Sequence, residues 1–149
     1  MALKKCIVAG CIITKEGKVL LVRHKKLGVW LYPGGHVEEN EQPHEAAKRE
    51  AFEETGMRVR LVSCGGIKIS AKEAKSLPMP FVILLEHVPY KTGAHSHFDL
   101  VYVARPIGGK ATLNKEESTS IGWFSKEQIP RLKTFENVKE VLLKFFESC

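Results

Sequence analysis

Short apolar runs separated by polar breaks dominate the chain, at intervals that favour strands over most of its length and helices in two places. Residues 5–14 are apolar and rich in β-branched side chains, Glu16-Gly17-Lys18 supplies a turn, and residues 19–23 return, so a hairpin is predicted. A basic loop over 24–29 follows. Trp30-Leu31-Tyr32-Pro33 then leads into Gly34-Gly35, a turn that brings backbone close to its neighbours. Residues 43–55 are predicted as a helix: Pro43 suits the first turn, and Gly56 stands where a left-handed residue ends a helix. Beyond it, 57–70 reads as one long strand or a strand pair bent at Gly65-Gly66, and 71–78 as a polar connection. Residues 80–88 and 98–104 are strongly apolar strands separated by a loop over 89–94. A short strand over 119–124 and a helical turn over 125–130 come next. The last helix, over 135–147, carries Val138, Val141, Leu142, Phe145 and Phe146 on one stripe. Strands with helices for both faces suggest an α/β fold, a three-layer α/β/α sandwich around a mixed sheet. No repeat, low-complexity tract or linker interrupts it, and 149 residues suit a single domain over 1–149.

Composition narrows the partners. The 44% hydrophobic and 27% charged content is ordinary for a globular protein, and a net charge of +6 favours anionic partners. No Lys/Arg block with interleaved aromatics tracks a nucleic-acid backbone, so a small anionic molecule is favoured over RNA. Cys6, Cys11, Cys64 and Cys149 lack metal-type spacing. Val8-Ala9-Gly10-Cys11 after Lys4-Lys5 imitates a lipoprotein cleavage site, but the apolar stretch before it is too short for a signal. No run is long enough to cross a bilayer, and a reduced cytoplasmic protein is expected.

The first helix carries the chemistry. At about 100° per residue, Ala46, Glu50, Glu53 and Glu54 fall within roughly a quarter turn. Like charges so close repel unless a cation sits among them, and carboxylates are the hard ligands that Mg²⁺ or Mn²⁺ prefers. A solvated face is the alternative, with Arg49 paired to Glu53 or Glu45.

Gly35, Glu41, Arg49, Glu50, Glu53, Glu54 and Gly56 then match every fixed letter of Gly-x5-Glu-x7-Arg-Glu-U-x-Glu-Glu-x-Gly-U, where U is bulky and aliphatic. In this the chain resembles the Nudix hydrolases. Ala51, at a U position, is smaller than usual. The resemblance implies the Nudix fold and a divalent-metal pyrophosphohydrolase acting on a nucleoside diphosphate derivative, with Mg²⁺ or Mn²⁺ as cofactor. It implies that Glu50, Glu53 and Glu54 hold the cations, together with the Gly35 carbonyl. Arg49 would neutralise and orient the glutamates, and Glu41 would brace the loop or touch metal through water. The general base varies in position among such enzymes.

Outside this box, His95, His97 and Asp99 alternate along a strand and face one side of the sheet, with Phe98, Leu100 and Tyr102 on the other. They are candidates for substrate contact or base. Zinc is disfavoured because Leu100 stands where a further histidine would follow the aspartate. Glu116 and Glu117, before Trp123, are candidates for an extra metal ligand or base. Arg23, Lys25 and Lys26 could meet a phosphate or simply be solvated. The residues that mark ADP-ribose, diadenosine polyphosphate or NADH in related enzymes are not found after the box. Nucleoside triphosphates and their oxidised forms remain the broad expectation. A non-catalytic nucleotide sensor and an RNA-end-processing enzyme are the alternatives, and a homodimer is expected by analogy only.

Overall fold

The computed structural model describes residues 4–63, 65–88 and 95–148. In chain order its elements are β1 (Lys4–Lys15), β2 (Lys18–His24), β3 (Trp30–Leu31), β4 (Gly34–His36), α1 (Pro43–Thr55), β5 (Met57–Val62), β6 (Val82–Val88), β7 (His95–Gly109), β8 (Ser118–Ser125), a 3-10 helix (Lys126–Arg131) and α2 (Glu136–Ser148).

The centre is a parallel pair, β1 against β7, in register from Lys4↔His95 to Ile13↔Ala104. Every other pairing is antiparallel. β4 lies on the free side of β1, with Ala9↔Gly35. β6 pairs with the first half of β7 and β5 with the second. The end of β1 turns into β2, which carries β3 and β8 on its two edges.

Strand alternation sends side chains into two cores. Ala9, Cys11 and Ile13 of β1 join Tyr102 and Ala104 of β7 against Ala46, Ala47 and Ala51 of α1. Ile12, Val101 and Val103 face the opposite way, onto Val138, Val141, Leu142 and Phe145 of α2. The expected mixed sheet between two helices is therefore present, and burial of each large aliphatic contributes about 1.5–3 kcal/mol. The small Ala51 is fully buried, and alanines on this face let α1 lie close enough for the Cys11 thiol to reach the Ala47 carbonyl at 3.4 Å. Thr55 Oγ1 donates to the Ala51 carbonyl at 2.6 Å.

Three expectations need correction. The strand after α1 ends at Val62 rather than continuing to residue 70, because β7 is taken over by β6 from Val82↔Val101 onward. Ile67 and Ile69 are accordingly exposed, and the segment holds a single described bridge, Ser70↔Lys75. β7 is much longer than 98–104, since β5 needs a partner out to Gly109. Phe135 lies outside α2 and is exposed. The loop expected over 89–94 lies outside the described residues. Among the described residues no helix is long and apolar enough to cross a membrane.

Candidate active site

α1 begins as its sequence suggests. Pro43 occupies the first turn, and Gln42 and Glu45 exchange hydrogen bonds across the cap. Gly56 ends it at φ 74°, with its N–H donating to the Phe52 carbonyl at 2.8 Å.

The glutamates that α1 carries do not form one uniform stripe. Glu53 is about half exposed, whereas Glu54 is buried at 7% exposure and Glu50 lies between them. Arg49 organises the group. Its Nε and Nη2 meet the two Glu41 oxygens at 2.7 and 3.0 Å, a bidentate pair. Nη1 reaches Glu50 at 3.0 Å and Glu53 at 3.1 Å, and Nη2 also donates to the His36 carbonyl at 3.1 Å. The Arg49–Glu53 contact is the (i, i+4) pair of the solvated-helix alternative, but Glu45 is engaged with the helix cap instead. Burial of Glu54 is what a merely solvated face does not produce.

Electrostatics follow from this geometry. The hydrogen bond from Arg49 holds the Glu41 carboxyl below its usual range, and the same network keeps Arg49 firmly protonated. Burial pushes Glu50 up, with Arg49 opposing it and Glu53 and Glu117 adding to it. Burial pushes Glu54 up to about 8, opposed by the hydrogen bond from the Gly34 N–H at 2.6 Å and reinforced by Glu50, Glu117 and Glu53.

The glycine turn fits against both sides of this group. A side chain on Gly35 would place its Cβ 2.5 Å from Glu50 Oε1, and one on Gly34 would meet the Ala9 carbonyl at 2.8 Å. Only bare backbone lets β4 lie between β1 and the carboxylates. Among the described residues no three histidine, cysteine, aspartate or glutamate side chains are gathered into a ready-made metal cage. A carboxylate cluster with its backbone turn and partial Arg49 neutralisation suits a hard cation that keeps several waters.

The remaining site candidates fall into separate places. Glu117 follows the loop 110–116 and adds its charge to Glu50 and Glu54. Glu116 is exposed, and its N–H donates to Asn114 Oδ1 at 3.1 Å. Arg23 and Lys25 are exposed: Arg23 Nε donates to the Gly28 carbonyl at 3.2 Å, and the Lys25 N–H donates to the Glu117 carbonyl at 2.8 Å.

His97 and Asp99 belong to a second cluster, on the α2 side of the sheet. Asp99 lies opposite Leu84 and His97 opposite Glu86. Glu86 Oε1 is 3.9 Å from His97 Nδ1, and Asn137 Nδ2 of α2 reaches Glu86 Oε2 at 3.5 Å. Burial, then a hydrogen bond to Glu86 and its charge, push Asp99 up to about 8. Tyr32 is raised by burial and by both of these acids. The His36 ring meets His97 edge-on at 5.5 Å. The side chain of His95 lies outside the described residues.

β4 thus joins the two clusters, with Gly35 against Glu50 and His36 against His97. Sequence reading missed Glu86, Tyr32, His36 and Asn114. Glu86 carried a usable signal, a lone acid directly after the apolar run Val82-Ile83-Leu84-Leu85; Tyr32 and His36 are placed by the packing and register of the strands around them, and Asn114 by the loop between β7 and β8.

Comparison with known proteins bears on family and fold. A family model described as the NUDIX domain matches residues 4–146. A MutT-like protein of Streptomyces ambofaciens is 28% identical over 122 residues, covering 82% of this chain and 64% of that protein. A putative 8-oxo-dGTP diphosphatase of Bacillus subtilis is 27% identical over 119 residues, covering 80% and 65%. The aligned region spans less than two thirds of the length of these relatives. A NUDIX-family hydrolase from Clostridium perfringens superposes with a TM-score of 0.79 at 33% identity, covering 97% of this chain and 98% of that one. With a family model spanning nearly its whole length, and with Arg49 of α1 bound to Glu41, Glu50 and Glu53, the chain belongs to the NUDIX family.

Proposed function

We propose that the protein is a divalent-cation-dependent pyrophosphohydrolase. It cleaves a diphosphate linkage in a nucleoside di- or triphosphate derivative, dNTPs and oxidised dNTPs included, by attack of water on phosphorus. The observation that carries this reading is the buried Glu54 beside Glu50 under a glycine turn with no room for a side chain. Carboxylates pushed toward their neutral forms by burial and by one another are the groups that a dication returns to the charged state.

Glu50, Glu53, Glu54 and the Gly35 carbonyl would hold Mg²⁺ or Mn²⁺, with Glu41 touching it through water. Such a cation, when bound, lowers the pKa of a water and neutralises phosphate oxygens. Arg49 keeps Glu41, Glu50 and Glu53 in fixed orientation. Glu117 serves as an extra base or ligand. Lys25, beside Glu117, and Arg23 offer cations to the phosphate chain. Across β4, His97 and Asp99, with Glu86 and Tyr32, offer hydrogen-bonding groups to what hangs on the phosphates.

The name of the Bacillus relative puts oxidised dNTPs at the head of the substrate panel. The reading keeps a small anionic molecule as partner and, by analogy with related domains, a homodimer that sedimentation would test. Free thiols at Cys6 and Cys11 agree with a reducing, cytoplasmic setting.

The test is a screen of nucleotides, oxidised nucleotides, nucleotide sugars, dinucleoside polyphosphates and capped RNA with Mg²⁺ or Mn²⁺, with Glu53→Gln as the blank. Metal-dependent turnover that falls by orders of magnitude in Glu53→Gln and Glu54→Gln supports the proposal. Binding without turnover would favour a nucleotide sensor, and turnover of capped RNA alone an RNA-end enzyme. Activity kept in the glutamine variants but lost in His97→Ala would overturn it in favour of a zinc hydrolase.

A further inference from the structure

The loop 110–117 is fastened to α1 by more than a helix cap needs. α1 leaves carbonyls at its last turn without partners inside the helix. Two of them are taken by this loop: the Thr112 N–H donates to the Thr55 carbonyl at 2.7 Å, and Asn114 Nδ2 donates to the Glu53 carbonyl at 3.2 Å. Capping would end there, but Asn114 has three further bonds, all to the residues that follow it. Its Oδ1 accepts from the Glu116 N–H at 3.1 Å, and its carbonyl accepts from Glu117 and Ser118 at 3.2 and 2.9 Å. The Glu117 carbonyl is held in turn by the Lys25 N–H at 2.8 Å.

Both backbone groups of Glu117 are therefore occupied, and the turn that presents it is tied to the peptide of Glu53. We infer that Asn114 is a positioning residue: it sets Glu117 at a fixed place relative to Glu50, Glu53 and Glu54. Asn114 bridges the Glu53 peptide and the Glu116–Ser118 turn, so the backbone of Glu117 is tethered to the end of α1 that carries Glu53 and Glu54. These bonds fix the backbone from which the exposed Glu117 side chain projects. The inference rests on the proposed hydrolytic reading and adds to it a reason for the asparagine.

A double-mutant cycle tests it, with Asn114→Ala, Glu117→Gln and the two combined, in the full-length protein with Mg²⁺. Three quantities are read: kcat and KM on a nucleotide that the wild type turns over, Mn²⁺ affinity of the protein without substrate, and the melting temperature. Asn114→Ala is expected to lower kcat about 10-fold, with KM within about twofold, and to weaken Mn²⁺ several-fold. In the Glu117→Gln background it should add less than about twofold. Asn114→Ser, a milder change, serves should the alanine variant melt early.

A full 10-fold loss in both backgrounds would overturn the inference, since Asn114 would then act on α1 directly. Wild-type kcat in Asn114→Ala would overturn it as well, as would wild-type kcat in Glu117→Gln. The last result leaves the box glutamates untouched, whereas failure of the hydrolytic reading would appear as no turnover by the wild type. In that case unchanged Mn²⁺ affinity in Asn114→Ala would count against the asparagine on its own.

Discussion

Two neighbouring glycines should respond in opposite ways to the same added methyl group. In Gly35→Ala the new Cβ lands 2.5 Å from Glu50 Oε1 and 2.6 Å from Cδ, against about 3.4 Å for ordinary contact, so the carboxylate must move by about 1 Å. That carboxylate is the far end of a flexible side chain, and Gly35 is not at positive φ, so the fold has an inexpensive escape. Stability should change by less than about 1 kcal/mol, or roughly 2–4 °C in Tm at this size. Turnover should fall about 100-fold, the cost of an error near 1 Å in a positioned group. In Gly34→Ala the Cβ meets the Ala9 carbonyl at 2.8 Å and the Gly10 Cα at 2.9 Å, both backbone. Nothing there can swing away, so β4 must separate from β1, at about 1–3 kcal/mol. Thermal melts followed by circular dichroism, with kcat on the same preparations, separate the two effects. The reasoning is refuted if Gly35→Ala melts like Gly34→Ala, or if it keeps wild-type kcat.

Other outcomes follow from the same contacts. Arg49→Lys cannot reproduce the fork on Glu41 while reaching Glu50 and Glu53; kcat should drop about 10–100-fold with loss of about 1–2 kcal/mol, and an unchanged kcat would contradict the role given to the guanidinium. Asp99, raised by burial and Glu86 to about 8, still holds its proton in the folded state where the unfolded chain has released it. Its contribution therefore destabilises progressively from about pH 4 to about 8 and levels off above that, so urea unfolding at pH 5 and pH 8 should show the wild type losing about 2–5 kcal/mol relative to Asp99→Asn. Equal pH slopes would remove the buried-acid account. Chelation should abolish turnover and addition of Mg²⁺ restore it; activity surviving exhaustive EDTA treatment would exclude the proposed cofactor.

Much of this was legible in the sequence because the box is local. Glu41 to Gly56 is one loop and one helix, and helical spacing alone sets Arg49 beside Glu53. What spacing could not supply was depth. Glu53 and Glu54 are adjacent in sequence, yet one is half exposed and the other buried, since β4 folds over only one of them. The pairing of Asp99 with Glu86 needs the register of β6 on β7, and the contact of His36 with His97 needs β1 between β4 and β7. The overlong strand expected after α1 failed for a related reason: its later residues are apolar enough for a strand, but β7 had no edge left for them.

That sharing of β7 has an evolutionary consequence. β5 stops opposite Val103 and β6 starts opposite Val101, so the excursion over 63–81 leaves and rejoins the sheet roughly 7 Å apart along one strand. A segment whose two ends are pinned so near each other can lengthen, shorten or be replaced at small entropic cost, about 0.6 kcal/mol per doubling of length. Neither the α1 end nor the Asp99 end of β7 would shift register. The sheet therefore offers an exchangeable cassette between two strands of fixed register, a place where descendants of this chain could vary without relearning how to fold.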